Sequence, residues 1–158
     1  MLKIALSASV AAFAIGLAPL TQAQDYGAPI TLEQARTAYA AADAEARKNK
    51  WAMTVVILDS GCNPVLMQKS DGAQVAAPLV AHEKAYSACA YKRPTKALQD
   101  TLAKGGDGLR YTTFPRMIAA DGGLPIVIGG KIIGAIGVSG AAGPDDARVA
   151  QAGIDALK

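Results

Sequence analysis

Apolar and polar residues follow one another along this chain in patterns that predict helices and strands in turn. Apolar positions recur at helical spacing from Leu32 to Lys48, and Thr31 with Gln34 makes a capping box at the start of that segment. The segment from Trp51 to Leu58 is rich in β-branched residues and almost continuously apolar, as in a strand buried on both faces. The pattern therefore predicts a first helix followed by a central strand.

Downstream, the same periodicities predict two hairpins and three further helices. Turn-forming residues at 59–64 separate the first strand from a second, Val65 to Gln68, and Gly129-Gly130 forms a two-residue turn in the second hairpin. The other predicted elements are a helix from about Pro78 to Lys92, a short helix from Thr95 to Lys104, a loop-like stretch at 107–123, strands at 124–128 and 131–138, and a last helix that begins after Gly143.

The order of these elements predicts the fold class. Strands joined by short turns pair antiparallel, because a parallel pair needs a long crossover connection. Hairpins that alternate with helices therefore predict an α+β fold in which helices cover an antiparallel sheet.

The N-terminal segment predicts export. A cationic head, Met1 to Lys3, precedes an apolar run from Ile4 to Leu20, and Thr21 and Ala23 are small residues at the positions that a signal peptidase reads. The run is short for a membrane span and contains Gly16 and Pro19. We expect a cleaved signal peptide over 1–23, a single domain over 24–158, a periplasmic or secreted location, and no membrane span after cleavage.

Charge and cysteine content narrow the classes of partner. The formal charge is +3, one unit of which belongs to Lys3, and no basic cluster is interleaved with aromatic residues, so nucleic acid is not an expected partner. Cys62 and Cys89 match neither a zinc motif nor the signature of covalently attached haem. An oxidising compartment permits a disulfide between them, but the sequence leaves open whether the bridge forms.

Four blocks of residues, in order along the chain, carry a family resemblance. The blocks are Val55-Val56-Ile57-Leu58-Asp59-Ser60-Gly61, then Met67-Gln68-Lys69-Ser70-Asp71-Gly72-Ala73, then Glu83-Lys84-Ala85-Tyr86-Ser87-Ala88 with Arg93-Pro94-Thr95, and finally Gly122-Gly123-Leu124-Pro125-Ile126 with Ile133-Gly134-Ala135-Ile136-Gly137-Val138-Ser139-Gly140. With these blocks the chain resembles the GlcG/HbpS family, which is related to the C-terminal domain of PduO.

This resemblance implies a sheet of about five antiparallel strands covered by helices, related to profilin-like and PAS-like folds. It also implies homo-oligomers, often octamers, and members that bind haem or related tetrapyrroles or take part in haem breakdown and sensing. Fold transfers between relatives better than activity does. We therefore expect an exported homo-oligomer that binds haem or another flat small molecule.

His82 is the chain's only histidine and the candidate ligand to haem iron. Leu79, His82, Tyr86 and Cys89 share one face of the predicted helix, and the resemblance places this segment at a ligand pocket. A neutral imidazole is a good axial ligand, and the apolar neighbours suit a porphyrin. A single histidine on an apolar helix face also fits a structural role, with its nitrogens satisfied by hydrogen bonds.

Cations and glycines complete the candidate site. Arg110 and Arg116 in the long loop, and Lys84 in the helix, could bind the propionates of haem or another carboxylate, although solvated surface charges would look the same. Gly122 and Gly123 could border a flat ligand, where side chains would take up the room.

Two other functions stay open. In a regular helix Cys89 lies about two turns from His82, too far for a nucleophile pair, so enzymatic signals are weak. The first alternative is an enzyme of small-molecule catabolism that uses the same cleft, with Arg110 or Arg116 holding a substrate carboxylate. The second is an accessory protein to an exported oxidoreductase.

Overall fold

The computed structural model describes residues 24–158, so the predicted signal segment lies outside the described residues. The described helices are α1 (Leu32–Lys48), α2 (Ala77–Ala90), α3 (Thr95–Ala103), a 3₁₀ helix (Gly106–Thr113) and α4 (Gly143–Asp155), and the strands are β1 (Thr54–Asp59), β2 (Pro64–Lys69), β3 (Gly123–Ile128) and β4 (Lys131–Ser139). Over these residues, no helix has both the length and the apolar character that crossing a membrane requires.

The four strands form one antiparallel sheet in the order β2-β1-β4-β3, which confirms the predicted α+β class. Both sides of β1 are buried, as its apolar run predicts. Val55 and Ile57 pack in the core that α1 and α4 share with the sheet. Val56 and Leu58 point the other way and pack against α2. The sheet therefore has α1 and α4 on one face and α2 on the other.

Small residues bring α2 close to the sheet. A Cβ atom added at Gly137 of β4 would lie 2.1 Å from the carbonyl oxygen of Ala81 and 2.9 Å from the Cβ of Ala85. No side chain fits in that space, so glycine at 137 is a packing requirement of this contact. The contact also sets which side of α2 is buried.

Most of the predicted elements are confirmed, and two expectations need refinement. Helix α1 has the predicted bounds and the capping box of Thr31 and Gln34. The sheet has four strands rather than about five, although Tyr26 adds an isolated parallel bridge to Ile132 of β4. The stretch predicted as loop-like contains the 3₁₀ helix, because its turn residues close successive short hydrogen-bonded turns.

The cysteines, whose state the sequence left open, form a disulfide. Cys62 and Cys89 have Cα atoms 5.8 Å apart, and the bond ties the β1–β2 turn to the last turns of α2. The C-terminal part of α2 is therefore covalently joined to the sheet.

Candidate functional site

Helix α2 carries different chemistry on its two faces. His82, Glu83 and Tyr86 lie on the partly exposed face, where Arg116 joins them from the loop after the 3₁₀ helix. We call these four residues the His82 cluster. Lys84, by contrast, is buried against the sheet. Neighbouring positions differ this strongly because each residue of a helix turns about 100° from the last.

Arg116 closes the cluster with three contacts. Its Nη2 and Nε donate to the two carboxylate oxygens of Glu83, over 2.8 Å and 3.2 Å. Its guanidinium carbon lies 3.7 Å from the centroid of the Tyr86 ring, which is a cation–π contact. The planar guanidinium of arginine can donate to both oxygens of a carboxylate while it stacks on an aromatic ring, and the ammonium of lysine lacks this geometry.

The backbone of the Arg116 loop is fastened to α2. The hydroxyl of Ser87 donates to the carbonyl of Arg116 and accepts from the N–H of Ile118, and the hydroxyl of Tyr91 donates to the carbonyl of Pro115. Arg116 itself has a φ of 57°, which is left-handed and uncommon for a residue with a side chain. These anchors hold the guanidinium over the helix.

The hydrogen bonds of His82 assign its tautomer. Nδ1 lies 3.1 Å from the carboxylate of Glu83 and 3.3 Å from Nη2 of Arg116. A carboxylate can only accept and a guanidinium can only donate, so the two contacts require opposite tautomers. The shorter, charge-assisted contact favours a proton on Nδ1 that is donated to Glu83. The lone pair of the ring then lies on Nε2.

Glu83 is held in its ionised form. Burial raises the pKa of this carboxyl, but hydrogen bonds from Arg116 and His82 outweigh burial, so the pKa lies below its usual value. The hydrogen bond to Glu83 raises the pKa of Arg116. The pair therefore stays charged over the physiological range, and Glu83 remains an acceptor for His82 Nδ1–H.

Exposed apolar side chains surround the cluster. Leu79 precedes His82 by one helical turn and is 67% exposed, and Phe114, which stacks on Tyr91, is 38% exposed two residues before Arg116. Leu79 and Phe114 form what we call the apolar rim. His82 lines neither the cavity beside Trp51 nor the cavity beside Asp121, and its side chain is 21% exposed.

The structure does not bring all the predicted residues together. Lys84 donates to the carboxylate of Asp146 (2.7 Å) and to the carbonyl of Val138 (3.1 Å), and its side chain is 4% exposed. Gly122 and Gly123 pack directly against this lysine: an added Cβ would lie 2.8 Å from Lys84 Nζ at Gly122 and 2.3 Å from the Lys84 carbonyl at Gly123. These glycines thus make room for Lys84 and its helix, and not for a ligand beside His82.

Arg110 also stands apart from the cluster. Its guanidinium lies 5.7 Å from the ring of Tyr111, within the same 3₁₀ helix. Among residues 24–158, no group of three or more histidine, cysteine, aspartate or glutamate side chains is arranged to hold a metal ion.

Two residues important to these arrangements, Glu83 and Asp146, were not among the site residues predicted from the sequence. Glu83 is adjacent to the candidate histidine, and that adjacency was the available signal. Asp146 belongs to the acidic first turn of α4, which an interaction with the helix dipole explains equally well. Burial raises the pKa of Asp146, against the hydrogen bonds from Lys84 and the backbone N–H of Ala141.

Comparison with known proteins gives consistent matches. The model of a family described as haem degrading protein HbpS-like matches residues 30–155. Protein GlcG of Escherichia coli K12 is 33% identical over 110 residues, which cover 70% of this chain and 81% of GlcG.

Two solved structures share the fold along nearly their whole length. A double mutant of Streptomyces reticuli HbpS is 29% identical, with a TM-score of 0.77, and the match covers 98% of this chain and 99% of that one. A PduOC:heme complex is 23% identical, with a TM-score of 0.75, and the match covers 82% of this chain and 96% of that one.

Proposed function

This chain belongs to the HbpS-like family of haem-degrading proteins, and from that premise we propose that it binds haem or a related tetrapyrrole through His82. The observation that carries the proposal is the hydrogen bond between His82 Nδ1 and Glu83 Oε1. A carboxylate that holds one ring nitrogen of a histidine orients the ring and makes the other nitrogen more basic, as in many metal sites. Nε2 is then the atom that coordinates iron.

The surroundings of His82 fit a flat apolar ligand. The apolar rim supplies contacts for a porphyrin face, and Arg116, which is 47% exposed, has surface left for an anionic group such as a propionate. When bound, haem would supply an iron centre for ligand binding or redox chemistry. The chain's own residues hold the imidazole tautomer through Glu83 and hold Arg116 in place through Ser87.

We further propose that the site is completed by a second copy of the chain. Because the His82 side chain is 21% exposed, a haem held there by one chain alone would stay partly open to water, whereas ligand sites usually bury most of the ligand. Exposed apolar side chains such as Leu79 would be covered in such an assembly. The family resemblance to oligomeric proteins supports this arrangement, and the predicted signal segment supports assembly outside the cytoplasm.

The test is a hemin titration of the purified mature chain, followed by absorbance in the Soret region and by light scattering. We expect saturable binding with a Soret band typical of histidine-ligated haem, on an oligomer rather than a monomer. His82→Ala should weaken binding at least tenfold or shift the band. Glu83→Gln should keep binding but alter the band, because the carboxylate no longer polarises the imidazole.

The matched control is Gln151→Ala, on the exposed surface of α4 and on the other face of the sheet. It should bind hemin like the unmodified chain. If His82→Ala leaves both affinity and spectrum unchanged, the assignment of His82 is wrong. If the unmodified chain shows no saturable binding, haem is not its ligand.

A further inference from the structure

A cavity of about 610 Å³ lies between α2, α3, the end of β4 and the start of α4. His82, Glu83 and Arg116 are not among its lining residues, so it is separate from the His82 cluster. The buried ion pair of Lys84 and Asp146 forms part of its wall. Its lining also includes polar groups that keep part of their hydrogen-bonding capacity unused within residues 24–158.

Asp121 is the first of these groups, and it is only 7% exposed. One carboxylate oxygen, Oδ1, accepts from the N–H of Gly122 over 2.8 Å. The other, Oδ2, has no hydrogen bond within residues 24–158. Among the described residues, Thr54 Oγ1 is the only side-chain oxygen or nitrogen that is both fully buried and without a hydrogen-bond partner. Asp121 Oδ2 also lacks a partner, so it is not fully buried and keeps some accessible surface. A nearly buried carboxylate with a free oxygen in a cavity wall is a ready acceptor for a ligand.

Donors stand around the same cavity. Gln99 uses its Oε1 to accept from the N–H of Asp121, which leaves its amide NH₂ available, and the Ser139 hydroxyl makes no hydrogen bond within the described chain. Lys96 pairs with Asp100 of its own helix in an exposed contact, which is a weak interaction that the lysine can leave. The cavity therefore presents one strong acceptor and several donors.

This combination selects the chemistry of an occupant. The Asp121 carboxylate would repel a simple anion, and the Lys96 ammonium would repel a simple cation. A molecule with both a hydroxyl and a carboxylate satisfies both sides. We propose that this cavity binds a small hydroxylated carboxylic acid, whose hydroxyl donates to Asp121 Oδ2 and whose carboxylate accepts from Lys96 and Gln99.

The experiment uses three matched probes with the full mature chain: lactate, propionate, which lacks the hydroxyl, and 1,2-propanediol, which lacks the carboxylate. Binding is measured by calorimetry and by saturation-transfer NMR. We expect saturable binding of lactate at least tenfold tighter than that of either analogue. Asp121→Asn should weaken lactate binding at least tenfold, because an amide oxygen still accepts from Gly122 N while the NH₂ replaces the free acceptor.

The control is Asp71→Asn, the same chemical change in the wall of a different cavity, and it should leave lactate binding unchanged. Lys96→Met, at an exposed position that does not endanger folding, should weaken lactate and spare 1,2-propanediol. Any of three results would overturn the proposal: no saturable binding of lactate, equal affinity for lactate and propionate, or lactate binding that is lost in Asp71→Asn but kept in Asp121→Asn. None of these outcomes depends on hemin.

Discussion

The two faces of α2 differ in how completely their polar groups are satisfied. On the sheet side, the Lys84 ammonium has two acceptors, and both oxygens of Asp146 are engaged, one by Lys84 and one by the N–H of Ala141. On the outward side, Glu83 and Arg116 satisfy each other while His82 keeps Nε2 without a hydrogen bond within residues 24–158.

The difference separates a charge pair that joins elements of the fold from the cluster that we propose binds a ligand. A buried ion pair in which each charged group has two hydrogen bonds joins the elements that carry it, here α2, β4 and α4. A partly exposed cluster that leaves Nε2 of His82 without a hydrogen bond has the features of a binding site. Lys84 therefore belongs with the architecture, although its place in the sequence, two residues from His82, suggested a ligand contact.

Breaking the sheet-side pair should have the largest effect. Lys84→Met leaves the Asp146 carboxylate buried without its cation, and we expect the free energy of unfolding to fall by about 3–5 kcal/mol. The measurement is urea-induced unfolding followed by circular dichroism.

The double variant Lys84→Met/Asp146→Asn is the matched control for this effect. Its neutral amide can still accept from Ala141 N, so it should recover at least about 1 kcal/mol relative to Lys84→Met alone. A double variant no more stable than the single one would show that the buried charge is not the source of the loss.

Opening the disulfide should be the next largest effect. The bond spans a sequence separation of 27 residues, and its removal by Cys62→Ala/Cys89→Ala should cost about 3 kcal/mol of stability, mainly through the entropy of the unfolded chain. Thermal unfolding of the oxidised chain, the reduced chain and the variant measures this. Because the bond lies on the sheet side, hemin affinity at low temperature should change less than twofold. A loss of affinity as large as in His82→Ala would mean that the two faces are coupled.

Removing the outward carboxylate should have the smallest effect on stability. The folded-state pKa of Glu83 lies below its unfolded value, so its stabilisation is present above the unfolded pKa and is lost as pH falls through the folded pKa. Because Arg116 is half-exposed, we expect Glu83→Gln to lose only about 1 kcal/mol near pH 7. The difference should shrink as pH falls below the unfolded pKa of about 4.3 and disappear once the pH is below the folded pKa. A difference that persists in acid would point to lost packing instead.

Local signals predicted most of the fold. The capping box and the apolar spacing gave α1 its observed bounds, and Gly129 and Gly130, with φ of 57° and 76°, make the two-residue turn that their type predicts. These features depend on residues within a few positions of one another, which a sequence displays directly. The local patterns predicted the two hairpins whose four strands form the sheet, whereas the expectation of about five strands came from the family resemblance. The isolated bridge at Tyr26 has its partner more than a hundred positions away, so no local pattern predicted it.

The site was predictable in part. His82 and Tyr86 could be placed on one face of α2, and Arg116 was a candidate for binding an anion. The contact of Arg116 with Glu83 joins positions 33 residues apart through a loop whose course no local pattern specifies. Lys84 was a candidate as a cation of the recognised helix block, and Gly122 and Gly123 were candidates because glycines leave room for a flat ligand. The structure instead buries Lys84 against Asp146 and packs both glycines against Lys84.

By itself, the sequence determined the order of the α-helices and strands, the bounds of α1 and the antiparallel pairing within each hairpin, because these follow from local periodicity and turn chemistry. Only the tertiary structure decided which side of α2 meets the sheet. The close packing of Ala81 and Ala85 on Gly137 sets the rotation of that helix, and this rotation buries Lys84 beside Asp146 while it turns His82 outward. Helical spacing is the same for every rotation, so only packing between distant segments could select one.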